Sequence, residues 1–121
     1  MTHDYLPKHR HIFYNGAWEK ASGKPLNVIN PATQVSLGFV DNATSADLDN
    51  VVASAKEAFK TWKHTSPKER ARCLRQAAKT LLKHKQQIAL IDSLDGGNPV
   101  TFMQNDIDYM ADCLEYYAGL I

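Results

Sequence analysis

Residues 12–121 predict an α+β arrangement when taken alone: two short β-hairpins followed by three α-helices. Three observations carry that expectation. Short runs of strand-forming residues before Asp41 are broken by the turn dipeptides Asn15-Gly16 and Asn30-Pro31. Beyond Asn42, apolar residues recur at the spacing of one helix face. Hydroxyl-led capping patterns mark where two of those helices begin.

The first eleven residues read as a flexible polar arm, carrying Pro7 and the histidines His3, His9 and His11. In residues 12–18, Phe13-Tyr14-Asn15-Gly16-Ala17-Trp18 places a strong turn dipeptide between strand-forming residues. Ala21-Ser22-Gly23-Lys24-Pro25 interrupts the chain again. Residues 26–29 form a short strand candidate that must stop at Asn30-Pro31, because proline has no N–H for a ladder and holds its predecessor extended. Residues 35–41 supply its partner.

Thr44-Ser45-Ala46-Asp47 has capping-box spacing, and Leu48, Val51, Val52, Ala55, Phe59 and Trp62 then define one apolar face. Ser66-Pro67-Lys68-Glu69 opens a second helix with a cap serine, a proline at the first helical position and an acid at the third. Leu74, Ala77, Leu81, Ile88 and Ile91 carry that helix unbroken to Gly96-Gly97, where glycine can end it left-handed. After Asn98-Pro99, a third helix presents Phe102, Met103, Ile107, Met110, Leu114, Tyr117 and Ala118.

Composition bounds the function. A chain of 121 residues with 44% apolar and 22% charged residues has the makeup of a globular domain. A net charge of +1 with the two signs interspersed gives no electrostatic footprint for nucleic acid or a membrane surface. The longest apolar runs are far too short to span a bilayer. Cys73 and Cys113 sit inside helical patterns and form no CxxC pair, so a reduced, cytoplasmic protein is the expectation.

Bland readings win at most chemistry-bearing residues. Cys73 follows Arg70-Ala71-Arg72, which could favour a thiolate, but a packing or surface role is expected. His9 and His11 lack a partnering cysteine or acid cluster, which makes a poor metal site. Asp106, Asp108, Asp112 and Glu115 read as a solvated helix face. Gly96-Gly97 closes a helix instead of opening one after a strand, the wrong context for a phosphate loop.

Four stretches in fixed order carry a family signal: Phe13-Tyr14-Asn15-Gly16-Ala17-Trp18, Val28-Ile29-Asn30-Pro31-Ala32-Thr33, Leu94-Asp95-Gly96-Gly97-Asn98-Pro99 and Glu115-Tyr116-Tyr117-Ala118-Gly119. Together they resemble the amino-terminal part of the aldehyde dehydrogenase superfamily of NAD(P)-dependent oxidoreductases. The resemblance runs from about Ile12 to Ile121, with Asn98 standing where the family usually has lysine.

The resemblance implies an α/β fold for the whole enzyme. Residues 12–121 would be the first, incomplete part of its coenzyme-binding domain, packing around a Rossmann-like sheet supplied by later sequence. It implies NAD or NADP as cofactor for the complete enzyme, and oxidation of an aldehyde to a carboxylic acid by a cysteine nucleophile and a glutamate base. All of those groups lie downstream of Ile121. It therefore implies no catalytic and no cofactor-binding residue in this chain.

The resemblance also implies a potassium or sodium site, with backbone carbonyls at Val28 and Ile29 and the carboxylate of Asp95 as ligands. The competing reading of Asp95 is simple solvation or capping at the helix exit. Expected partners are the remainder of the enzyme or a second copy, with a homo-oligomer for the complete enzyme. The alternative function is a non-catalytic truncated remnant or interaction module. Faces built to pack on a missing sheet would favour self-association through residues 48–62 and 102–118.

Overall fold

A computed structural model describes residues 6–121. Its elements run β1 (Ile12–Tyr14), β2 (Ala17–Glu19), β3 (Leu26–Ile29), β4 (Ser36–Val40), α1 (Ser45–Trp62), α2 (Pro67–Lys83), α3 (Lys85–Gly96) and α4 (Val100–Leu120). The strands form two separate antiparallel hairpins, β1–β2 and β3–β4. The chain divides into two compact units. One holds the described residues up to Ile29 together with Gln34–His64; the other holds Asn30–Thr33 with Thr65–Ile121.

In the first unit, β1 and β2 pair with Phe13 opposite Trp18 and Tyr14 opposite Ala17. Asn15 and Gly16 have φ of 51° and 77°, the two positive values a tight hairpin turn with matching twist requires. The β3–β4 ladder sets Val28 against Gly38 and Ile29 against Ser36, with a bulge between Val28 and Ile29. Within this unit, residues 7–11 lie on the hairpins. Arg10 C=O accepts from the Asp41 N–H at 2.9 Å, and the His9 ring stacks on Trp18 at 4.9 Å.

Two carboxylates tie the loop after β2 to the start of α1. Three successive N–H groups are held: Ala21 donates to Asp41 Oδ2 at 2.9 Å, Ser22 to Asp47 Oδ2 at 3.0 Å, and Gly23 to the Asn42 carbonyl at 3.0 Å. Asp47 is buried at 9% exposure and also accepts from the Ser22 hydroxyl and from Thr44 N–H and hydroxyl, each at 2.8 Å. The expected capping box is formed, and it does more than cap. At Gly23 an added Cβ would lie 2.2 Å from the Asn42 carbonyl oxygen, so only glycine lets the loop approach this closely.

The apolar face of α1 is left open. Leu48, Phe59 and Trp62 are 57%, 58% and 45% exposed, and Asp47 is this helix's buried residue.

In the second unit, the single helix expected from Ser66 to Gly96 is two helices. His84 sits at φ −105°, ψ 13°, the bridge region, and shares its N–H between the Thr80 and Leu81 carbonyls. The polar run His84-Lys85-Gln86-Gln87 interrupts the apolar face without a glycine or proline, which is why periodicity reads straight through it. Past the break, α2 and α3 each pack on α4. Lys85 anchors the junction, with its Nζ 2.6 Å from Asp108 Oδ2 of α4.

The core of this unit is built from small side chains. Ala71, Ala78, Ala89, Ala111 and Ala118 are buried with Met103 and Ile107, while Phe102, Met110 and Tyr117 of the expected α4 face are exposed. Alanines let helix backbones approach closely, so the buried stripe is 103, 107, 111, 118. The reading of Asp108 and Glu115 as purely solvated is also corrected. Asp108 pairs with Lys85, and Glu115 lies 3.6 Å from Arg75, whose guanidinium also reaches the Ala118 carbonyl at 3.4 Å.

The hydrogen bonds from Thr44 and Ser22, backbone donors first, hold the Asp47 carboxyl far below its ordinary range. A depressed carboxyl binds its proton more weakly folded than unfolded. Its contribution is therefore present above about pH 4 and is lost as pH falls through that value and below. Urea unfolding midpoints should fall between pH 5 and pH 2.5. Asp47→Asn should lower the midpoint at pH 7 and flatten part of the acid decline, the remainder coming from Asp41, which Ala21 and His11 also hold low.

Candidate functional site

The candidate site is built around two chain reversals. At the first, Asn30 follows β3 and is 8% exposed. Its Oδ1 accepts from Ala32 N–H at 2.9 Å and Thr33 N–H at 3.2 Å, so the side chain supplies the acceptor that makes the turn. At the second, α3 ends on Gly97 in the left-handed region at φ 78°, with Gly97 N–H on the Ser93 carbonyl at 2.9 Å. The Ser93 hydroxyl donates to the Asn98 carbonyl at 2.6 Å and fastens the exit to the start of α4.

These two reversals meet inside the second unit. A Cβ on Gly97 would lie 2.9 Å from Pro31 Cγ, so glycine is required there both by backbone conformation and by the proline against it. Asn98 uses its backbone for the Ser93 bond, so the departure from lysine leaves the helix exit intact.

The three metal-ligand candidates fall in two places. Val28 and Ile29 flank the β3 bulge in the first unit, where the pairing register shifts. Asp95 lies in the last turn of α3 in the second unit, is exposed, and has no hydrogen-bond or ion-pair partner among the described residues. Its carboxylate is solvated and takes no capping bond. Among the described residues no cluster of three or more His, Cys, Asp or Glu could hold a metal.

His9 and His11, expected in a flexible polar arm, instead contact the first unit: His9 stacks on Trp18 and His11 pairs with Asp41. Cys73 is free and exposed, Cys113 free and half-buried. Arg72, next to Cys73, is spent on a forked pair with Glu69. Sequence reasoning missed the second role of Asp47 and the acceptor role of Asn30. The Thr44 spacing signals only the local half of the Asp47 network, and Ser22 lies too far away in sequence to be paired with it. No described helix is long and apolar enough to cross a membrane.

Two small hairpins, a helix and a three-helix unit, in that order, define the opening segment of a known oxidoreductase fold. A betaine aldehyde dehydrogenase double mutant from Staphylococcus aureus, solved with NAD+, superposes with a TM-score of 0.92 at 23% identity, over 98% of this chain and 25% of that one. The chain belongs to the aldehyde dehydrogenase family, whose model matches residues 18–121. It is 38% identical to aldehyde dehydrogenase tropH of Talaromyces stipitatus over 96% of this chain, and 37% identical to aminoaldehyde dehydrogenase 2 of Zea mays over 92%. The chain spans 23% of the length of each of these two relatives.

The Asn30 and Gly97 contacts make a paired prediction. Asn30→Ala should destabilise the chain by about 1–2 kcal/mol, because two N–H groups lose their acceptor. Gly97→Ala should cost about 1–3 kcal/mol from strained φ, before any displacement of Pro31. Gly119→Ala, in helical conformation with open space around it, should be neutral or slightly stabilising in the same chemical denaturation series.

Proposed function

We propose that this chain is the amino-terminal portion of an NAD(P)-dependent aldehyde dehydrogenase that oxidises an aldehyde to a carboxylic acid. The observation that carries the reading is the family match over residues 18–121 in a chain spanning 23% of its relatives' length. In the complete enzyme, NAD or NADP would accept the hydride released as the aldehyde is oxidised. The residues of this chain are scaffold for that chemistry, in a reduced, cytoplasmic setting that suits its two free cysteines.

The chain also contributes part of a potassium or sodium site through the Val28 and Ile29 carbonyls and Asp95. Supporting it are the β3 bulge, which disturbs the ladder at those carbonyls, and the Asp95 carboxylate, unpartnered among the described residues. The open face of α1 supports packing against the remainder of the enzyme, or self-association without it.

The purified 121-residue chain, given NAD+ or NADP+ and a panel of aldehydes, should produce no absorbance at 340 nm. Turnover by the chain alone would overturn the reading. Light scattering coupled to size-exclusion chromatography should show mass rising with concentration. Replacing Phe59 and Trp62 with serine should return the chain toward monomer, whereas a compact monomer at all concentrations would remove the association claim.

A further inference from the structure

We infer that residues 7–11 form a strap latched onto the end of β4, and that protonation of His11 tightens the latch. Five contacts build it, all inside the first unit. Arg10 C=O accepts from Asp41 N–H at 2.9 Å. The Arg10 guanidinium donates through Nε to the Pro7 carbonyl at 2.9 Å and through Nη2 to the Leu37 carbonyl at 3.3 Å. It lies over Gly38, where an added Cβ would sit 3.6 Å from Nη1. The His9 ring stacks on Trp18, 5° from parallel, and His11 Nδ1 is 2.8 Å from Asp41 Oδ2.

The last of these contacts joins an imidazole to a carboxylate. Asp41 Oδ2 is the same oxygen that accepts the Ala21 N–H, so one carboxylate serves both the strap and the loop after β2. Those bonds keep Asp41 ionised throughout the range in which an imidazole changes charge. A protonated His11 then donates a charge-assisted bond to it; a neutral ring offers only a neutral donor, in one of its two tautomers.

The charged groups facing this pair are Asp41 itself, Lys20 beyond β2, which acts on the same carboxylate, and Arg10 of the strap, which is occupied by carbonyls. On α1, Asp47 is committed to Thr44 and Ser22. His11 is 44% exposed and Asp41 11%, so solvent screens the pair and the expected switch is modest.

The latch sets access to the Arg10–His11 peptide bond, a trypsin site. Cleavage there in the intact chain, divided at each pH by cleavage of a free peptide of residues 6–16, measures strap opening. Between pH 5.5 and 8 the normalised rate should rise about two- to five-fold, the span expected of a screened pair. His11→Gln keeps a neutral donor and should abolish the rise, while His9→Gln should retain it. A flat wild-type profile, an unchanged rise in His11→Gln, or its loss in His9→Gln would each overturn the inference. Should His11→Gln not fold, the wild-type chain still decides by NMR: the Asp41 amide shift must follow the titration of the His11 ring and not that of His9.

Discussion

The first unit depends on one buried carboxylate. Asp47 accepts four hydrogen bonds, two from Thr44 within its own helix turn and two from Ser22, which lies before β3. A buried charge is tolerated only when its lone pairs are filled, and here the filling groups come from both ends of the β3–β4 excursion. The same contact that starts α1 therefore fixes where the chain leaves β2. Asp41 repeats the device a few residues earlier, taking Ala21 on one side and His11 on the other.

In the second unit the governing constraint is close approach. Its core is mostly alanine, and its tightest point is Gly97 against Pro31. Small residues bury little apolar area each, so ion pairs at the margins, Lys85–Asp108 and Arg75–Glu115, hold register more than they add stability. Leu48, Phe59 and Trp62 of α1 and Phe102, Met110 and Tyr117 of α4 are exposed, a distribution that leaves apolar side chains of both helices uncovered.

Much of the fold was legible because it is local. The Asn15-Gly16 turn, the Asn30-Pro31 stop, the Thr44 and Ser66 caps and the Gly97 exit each depend on residues within four positions of one another, so side-chain type alone announces them. The candidate cation ligands were legible only through family resemblance. No spacing joins Val28 and Ile29 to Asp95, and the three fall in different compact units.

What the sequence by itself determined was the order of hairpins and helices, their starts and stops, and the family that shares them. Tertiary structure alone decided the break at His84, which no proline or glycine marks, and which α4 residues are buried, Met103, Ile107, Ala111 and Ala118 and not Phe102, Met110 or Tyr117. It alone decided that Asp47 also serves Ser22 and that residues 7–11 lie against β4. The physical reason is common to all four: each is settled by a partner more than a helical turn away, and pattern within a window carries no information about which distant group will arrive.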